Sequence, residues 1–196
     1  MTDFGDTFTV GDLRSLLEEL SMRLSESDAS AQLFVVGGAA MALKYDAGRL
    51  TQDIDAVFSS PAVVRGHVEA IAYEHGLPLD WLNDAVKGFL PGEDPDASVV
   101  FESESLLVKV ASAEFLLAMK LFSARASRDR DDAVNLYMRC GMSSATEALT
   151  LLSEKYPARL LTPRHEYVCR QVAERASSLA VARDAGNPVV RDIDAN

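Results

Sequence analysis

The side chains with the clearest chemical potential lie in residues 36–58, VGGAAMALKYDAGRLTQDIDAVF. Asp53 and Asp55 are separated by one apolar residue, Ile54, so on an extended backbone both carboxylates point to one face. Like charges at that range repel, and more strongly where water is excluded. A cation between them removes the cost. Mg²⁺ suits such a pair because it takes hard oxygen ligands, keeps several waters and commonly shares one or two protein carboxylates with phosphate oxygens. Upstream, Gly37-Gly38 ends an apolar run and precedes strong helix formers. At such a turn, backbone N–H groups can approach phosphates with no Cβ in the way.

A second group lies further on. Lys120 sits among Phe115, Leu116, Leu117, Met119, Leu121 and Phe122, apolar nearly all round a helix, which marks that helix as largely buried. A lysine there either snorkels to the helix edge or is held toward an anion such as a triphosphate. Asp129, Asp131 and Asp132 fall where the next helix begins. Acidic residues in a first turn meet the helix dipole favourably, each by ~0.3–1 kcal/mol, and Arg125, Arg128 and Arg130 are close enough in sequence to pair with them. Spacing leaves open which of the three faces a site.

The elements that must position these residues are legible as patterns. Residues 9–25 open with Thr9 and Asp12 and continue with leucines at helical spacing, an amphipathic helix. Residues 32–36 read as a strand ending in a glycine turn, 39–44 as a helix, and 53–58 as a second strand carrying both aspartates. A helix is expected over 62–75, ended by Gly76 and Pro78, followed by a loop-like, acidic stretch over 83–98. Residues 99–101 and 106–110 look like paired strands. Helices are then expected over 112–124 and 129–140, from Ser144 with its Glu147, and from Thr162-Pro163 to about residue 184. The expected fold is therefore α+β. A small mixed sheet with helices occupies residues 1–111, a helical bundle 112–185, and residues 186–196 form a polar, mobile tail.

At 196 residues the chain can build one domain or two small lobes, and its 48% apolar and 25% charged residues exclude a disordered chain. Cys140 and Cys169 lack CxxC spacing, and His67, His75 and His165 show no HExxH pattern, so neither a disulfide framework nor a zinc site is expected. The acidic start, MTDFGDTF, has no signal-peptide pattern, and no apolar run approaches the ~20 residues a membrane span needs; a cytoplasmic protein without membrane contact is expected. The net charge of −11 argues against a nucleic-acid partner, but the distribution softens the objection. Residues 1–119 hold 7 basic and 20 acidic side chains, whereas 120–196 hold 12 and 10. The C-terminal part is the better surface for an anion, or an ordinary Arg-rich solvated face.

In order and spacing, Gly37-Gly38 followed by Asp53-Ile54-Asp55 resembles the signature of the nucleotidyltransferase fold, hGG then DhD with h apolar. Arg49, Thr51, Asp53 and Asp55 sharpen it to RxTxDxD, which resembles the AbiEii and MenT branch of the DNA polymerase beta-like superfamily, the nucleotidyltransferase toxins of type IV-like toxin–antitoxin systems. Residues 114–137, EFLLAMKLFSARASRDRDDAVNLY, resemble that branch's second signature, with Lys120 at its lysine and Asp129 and Asp132 at its acidic positions. The likeness covers roughly residues 33–137. It departs where many relatives carry a third metal-binding carboxylate on a later strand: residues 106–110 contain Lys109 and no acid, with Glu102 and Glu104 just before.

The resemblance implies a nucleotidyltransferase-fold lobe using Mg²⁺, or alternatively Mn²⁺, on a nucleoside triphosphate. Asp53 and Asp55 would hold the metal, with Lys120, Asp129 and Asp132 completing the catalytic set; Gly37, Gly38, Arg49, Thr51 and Lys120 would bind the nucleotide. Thr51 either contacts phosphate or metal or simply favours the strand start. The implied acceptor is the 3′ end of tRNA, which once extended cannot be aminoacylated, so translation and growth stop. Arg159, Arg164, Arg170 and Arg175 would face the RNA. A cognate antitoxin, kinase-like in part of the family, could act by phosphorylating Thr51, adding ~−1.5 to −2 charge beside the aspartates. A protein or small-molecule acceptor, or a non-catalytic binding protein of the same fold, is the competing expectation.

Overall fold

A computed structural model of the chain describes residues 7–123 and 127–185, the side chains of residues 127–129 and 183–185 excepted. The chain divides into two compact units, Met1–Ser112 and Ala113–Asn196. The expected tail over 186–196 lies outside the described residues.

In the first unit, helix α1 (Val10–Glu26) starts at a capping box in which Thr9 Oγ1 accepts from the Asp12 N–H and Asp12 accepts from the Thr9 N–H. Its leucine stripe, Leu13, Leu16, Leu17, Leu20 and Leu24, is buried, and it packs on α3 (Pro61–His75), which turns its own Val64, Val68 and Ile71 inward. The five strands, β1 (Ala31–Val35), β2 (Ile54–Phe58), β3 (Leu82–Asn83), β4 (Ser98–Glu102) and β5 (Leu106–Val110), form a mixed sheet in the order β3-β2-β1-β5-β4. β1 is antiparallel to β2 and parallel to β5; β3 lies parallel to β2, and β4 antiparallel to β5. Period-two burial places Leu33, Val35, Ile54, Ala56, Phe58, Leu106, Val108 and Val110 in the core.

Three sequence expectations need correction. Gly37 and Gly38 do not form a turn ahead of a helix; they are the first turn of α2 (Gly37–Ala40), which runs on into a π-helical turn, Met41–Tyr45. The second strand begins at Ile54, so Asp53 lies in the bend before it and not in the ladder. The stretch read as loop, 83–98, begins inside β3 and contains a 3₁₀ turn, Ala85–Gly88. Two residues of strand are too few to show a period.

In the second unit, α4 (Ala113–Ser123), α5 (Ser127–Arg139), α6 (Ala145–Lys155) and α7 (Pro163–Ala185) pack as a bundle. Ser144 and Glu147 form the expected capping box, and α4 buries Phe115, Leu116, Leu117, Ala118 and Leu121. His165, in the first turn of α7, accepts the Thr162 N–H at Nδ1 (2.9 Å), which leaves Nε2–H to donate to the Phe122 carbonyl (3.2 Å). No helix among the described residues is long and apolar enough to cross a membrane.

Candidate functional site

Because β1 and β2 run antiparallel, the end of one lies against the start of the other. Val35 pairs with Ala56, and the Val36 N–H donates to the Asp55 carbonyl (2.9 Å). The chain leaving β1 therefore meets the chain entering β2, and the glycine pair meets the aspartate segment. Gly37 has φ +66°, and a Cβ there would lie 3.0 Å from Asp55 Oδ2. A Cβ on Gly38 would lie 2.5 Å from Thr51 Oγ1 and 3.2 Å from Thr51 Cβ. A side chain at Gly37 would be strained and would press on Asp55, and one at Gly38 would displace Thr51. Thr51 is held in place: it is 6% exposed, its hydroxyl donates to the Asp53 carbonyl (3.1 Å), and its backbone pairs with Phe8 through two hydrogen bonds of 2.6 and 3.1 Å.

This predicts distinct costs for two small substitutions. Gly38→Ala is expected to force Thr51 and the Phe8 bridge outward, costing about 1–3 kcal/mol by overpacking. Gly37→Ala is expected to cost about 1–2 kcal/mol from its left-handed backbone, in addition to crowding Asp55. Thermal melts of both beside Gly76→Ala, whose φ is +67° but whose Cβ would meet nothing, separate backbone strain from crowding. Equal melting points for Gly38→Ala and the wild type would show that the Thr51 contact is not tight.

Asp53 and Asp55 are half-buried. Burial, and then the charges of Asp55 and Asp80, hold the Asp53 carboxyl above the usual aspartate range, opposed by a long hydrogen bond from Asn83 Nδ2 (3.4 Å). Asp80 and Asn83 were not legible as site residues because the strand that carries Asn83 is so short. The buried indole of Trp81 fixes them: its Nε1–H donates to the Val68 carbonyl (3.1 Å), and its own carbonyl accepts from the Ile54 N–H (2.7 Å). Asn83 then pairs in register with Asp55, and its Oδ1 accepts from the Ala85 N–H (3.1 Å), which turns its amide nitrogen toward Asp53. The strand read for a third acid, β5, carries Lys109 and no acid, and β3 beside β2 presents the neutral amide of Asn83.

Two carboxylates, a glycine cradle and a helix first turn with no side-chain cap fit Mg²⁺ shared with phosphate oxygens. They do not fit an all-protein cage. Among the described residues no three His, Cys, Asp or Glu side chains gather as metal ligands. His75 pairs with Glu19 (2.8 Å) and His67 with Ser27 (3.1 Å), and burial pushes the Cys140 and Cys169 thiols up to about 11.

Arg49 lies beside this segment, its guanidinium donating to the Leu50 carbonyl (2.9 Å). In the second unit, Lys120 Nζ meets Asp132 Oδ2 at 2.9 Å, with the two side chains 11% and 9% exposed. Of the two expectations for Lys120, the structure supplies an anion from the protein itself. Asp131 is exposed, and the Asp129 side chain lies outside the described residues. Arg159, Arg164, Arg170 and Arg175 are exposed, with Arg170 3.5 Å from Glu166.

No curated protein matches the chain. It is similar to the crystal structure of an antigenic nucleotidyltransferase-like protein from Paracoccidioides brasiliensis, at 15% identity over 77% of this chain and 91% of that one, with a TM-score of 0.37, too distant to carry residue roles. The family model described as a nucleotidyltransferase of unknown function, DUF6036, matches residues 11–153, spanning the glycine pair, the aspartates and the Lys120 helix. On that match the chain belongs to the DUF6036 family of nucleotidyltransferases.

Proposed function

We propose that this protein transfers a nucleoside monophosphate from a nucleoside triphosphate to the 3′ end of tRNA in a Mg²⁺-dependent reaction, and that it acts as a toxin held in check by a cognate antitoxin. The observation that carries the transferase reading is the meeting of Gly37 and Gly38 with Asp55 and Thr51 at the β1–β2 junction. The triphosphate lies along the first turn of α2, whose N–H groups carry no side-chain cap and which the glycines let close onto Asp55 and Thr51. Asp53 and Asp55 hold the metal, which when bound neutralises charge developing on the phosphates. Asn83 keeps the Asp53 carboxylate oriented through its amide, and Trp81 keeps Asn83 in place. The acceptor hydroxyl attacks the α-phosphorus in line and pyrophosphate leaves, with positioning supplying most of the rate. The RNA acceptor is supported by the resemblance to the AbiEii and MenT branch and by the basic balance of residues 120–196.

Thr51 is the regulatory position in this reading. Its burial means that the Phe8–Thr51 bridge must open before a kinase-like antitoxin reaches the hydroxyl.

The test is incubation with each α-³²P-labelled nucleoside triphosphate, Mg²⁺ and total tRNA, beside Asp55→Ala, resolved on a denaturing gel. Label is expected in tRNA with the wild type alone. Label in protein would move the acceptor, and no label in any fraction would favour a non-catalytic binding protein.

A further inference from the structure

A cleft of about 220 Å³ opens between α5 and α7 in the helical unit. Val134, Val168 and Val172 are buried and line it, while Tyr167 at its rim is 53% exposed. Tyr167, Gln171 and Arg175 follow at i, i+4 and i+8, so they form one stripe along α7, and Arg130 faces them from α5 one turn before Val134. Among the described residues neither Arg130 nor Arg175 has an ion-pair or hydrogen-bond partner. Asp131 offsets one of the two positive charges, leaving the cleft cationic.

That combination has a chemical reading. A half-exposed aromatic ring beside an apolar floor is suited to stacking a flat ring. Two guanidiniums with no partner among the described residues suit phosphate, which they bind in a planar fork. Gln171, through the Oε1 left over once its Nε2 donates to Glu174 (3.2 Å), and Asp131 offer acceptors to the edge of a ring. The volume admits one ring system and excludes a duplex.

We infer that the α5–α7 cleft binds a nucleotide, its base stacked on Tyr167 over the valine floor and its phosphate held by Arg130 and Arg175. The nucleotide is either one unit of a single strand or a free nucleotide. As a unit of the acceptor strand it deepens the proposed function, and in that respect it rests on it.

The test needs no catalysis. A 5′-fluorescein-labelled single-stranded RNA of 12 nucleotides is titrated with the full chain in EDTA, without triphosphate, and followed by fluorescence anisotropy at several salt concentrations. Tyr167→Ala is expected to weaken binding by roughly 5- to 150-fold, the range of one lost base–aromatic stack, while Tyr167→Phe retains it. Arg130→Gln with Arg175→Gln is expected to lower the slope of log K against log salt by about 1.4, two phosphate contacts on a single strand. Displacement of the RNA by excess AMP would assign the cleft to a free nucleotide, and displacement only by unlabelled RNA would assign it to a strand. Binding by neither, or equal binding by wild type and all variants with unchanged melting points, overturns the proposal. If those variants bind like wild type yet tRNA is labelled, the cleft fails and the transferase stands. If binding depends on the cleft and no triphosphate is ever incorporated, the reverse holds.

Discussion

Without divalent cation, Asp53→Asn is expected to unfold at a higher temperature than the wild-type chain, and with Mg²⁺ to have lost nucleotide transfer by about 10²–10³-fold or more. Both effects come from one arrangement. The Asp53 carboxylate is desolvated and faces the charges of Asp55 and Asp80, with only a 3.4 Å hydrogen bond from Asn83 in its favour. Its folded-state pKa is therefore raised above the unfolded value, so between the two the folded chain holds a proton that the unfolded chain has released. The contribution to stability is fully present below the unfolded value and is lost as pH rises through the folded one. The Asp53 contribution to the melting temperature should accordingly fall as pH climbs above the ordinary aspartate range, and the gap between Asp53→Asn and wild type should widen over the same interval. Mg²⁺ should restore wild-type stability, because a ligand that binds the folded form alone stabilises by mass action. It should do little for the variant. Melting curves across pH, with and without Mg²⁺, read all of this. A variant no more stable than wild type in EDTA would sink the electrostatic account, and one that still transfers nucleotide would remove Asp53 from the site.

Lys120→Met is expected to cost about 3–5 kcal/mol, a large share of the ~5–15 kcal/mol that holds a domain folded, and to lower the melting temperature by roughly 6–20 °C. The substitution keeps the volume of the side chain but strips the buried Asp132 carboxylate of the ammonium 2.9 Å away. Replacing both, as Lys120→Met with Asp132→Leu, should recover most of the loss, since a buried ion pair is often worth no more than a well-packed apolar pair. The same pair of variants separates two roles. A lysine that serves only the triphosphate would lose activity on substitution and keep its melting temperature. A melting point within a degree or two of wild type would return Lys120 to that role.

Local interactions made much of the fold legible from the sequence. Thr9 with Asp12 and Ser144 with Glu147 close capping boxes inside single turns, so the starts of α1 and α6 depend on no distant residue. The leucine stripe of α1 and the alternation of β1, β2 and β5 likewise report on burial directly, because side-chain period and core face are the same information. The glycine pair and the two aspartates were visible as types and spacing, and with them the chemistry of a shared cation. Residue types and spacing thus sufficed for the residues able to do that chemistry and for the longer helices and strands.

What each residue meets is set by packing between distant segments. The antiparallel pairing of β1 with β2 sets Gly38 against Thr51, a contact between residues whose separation along the chain says nothing about distance. Asp80 and Asn83 reach Asp53 because a buried tryptophan pins a two-residue strand, too short to leave a pattern. Lys120 finds its anion on the next helix, and Tyr167, Gln171 and Arg175 line a cleft only because α5 lies alongside α7. Periodicity specifies the face a side chain takes; the partner on that face is set by packing between segments, which no local pattern contains.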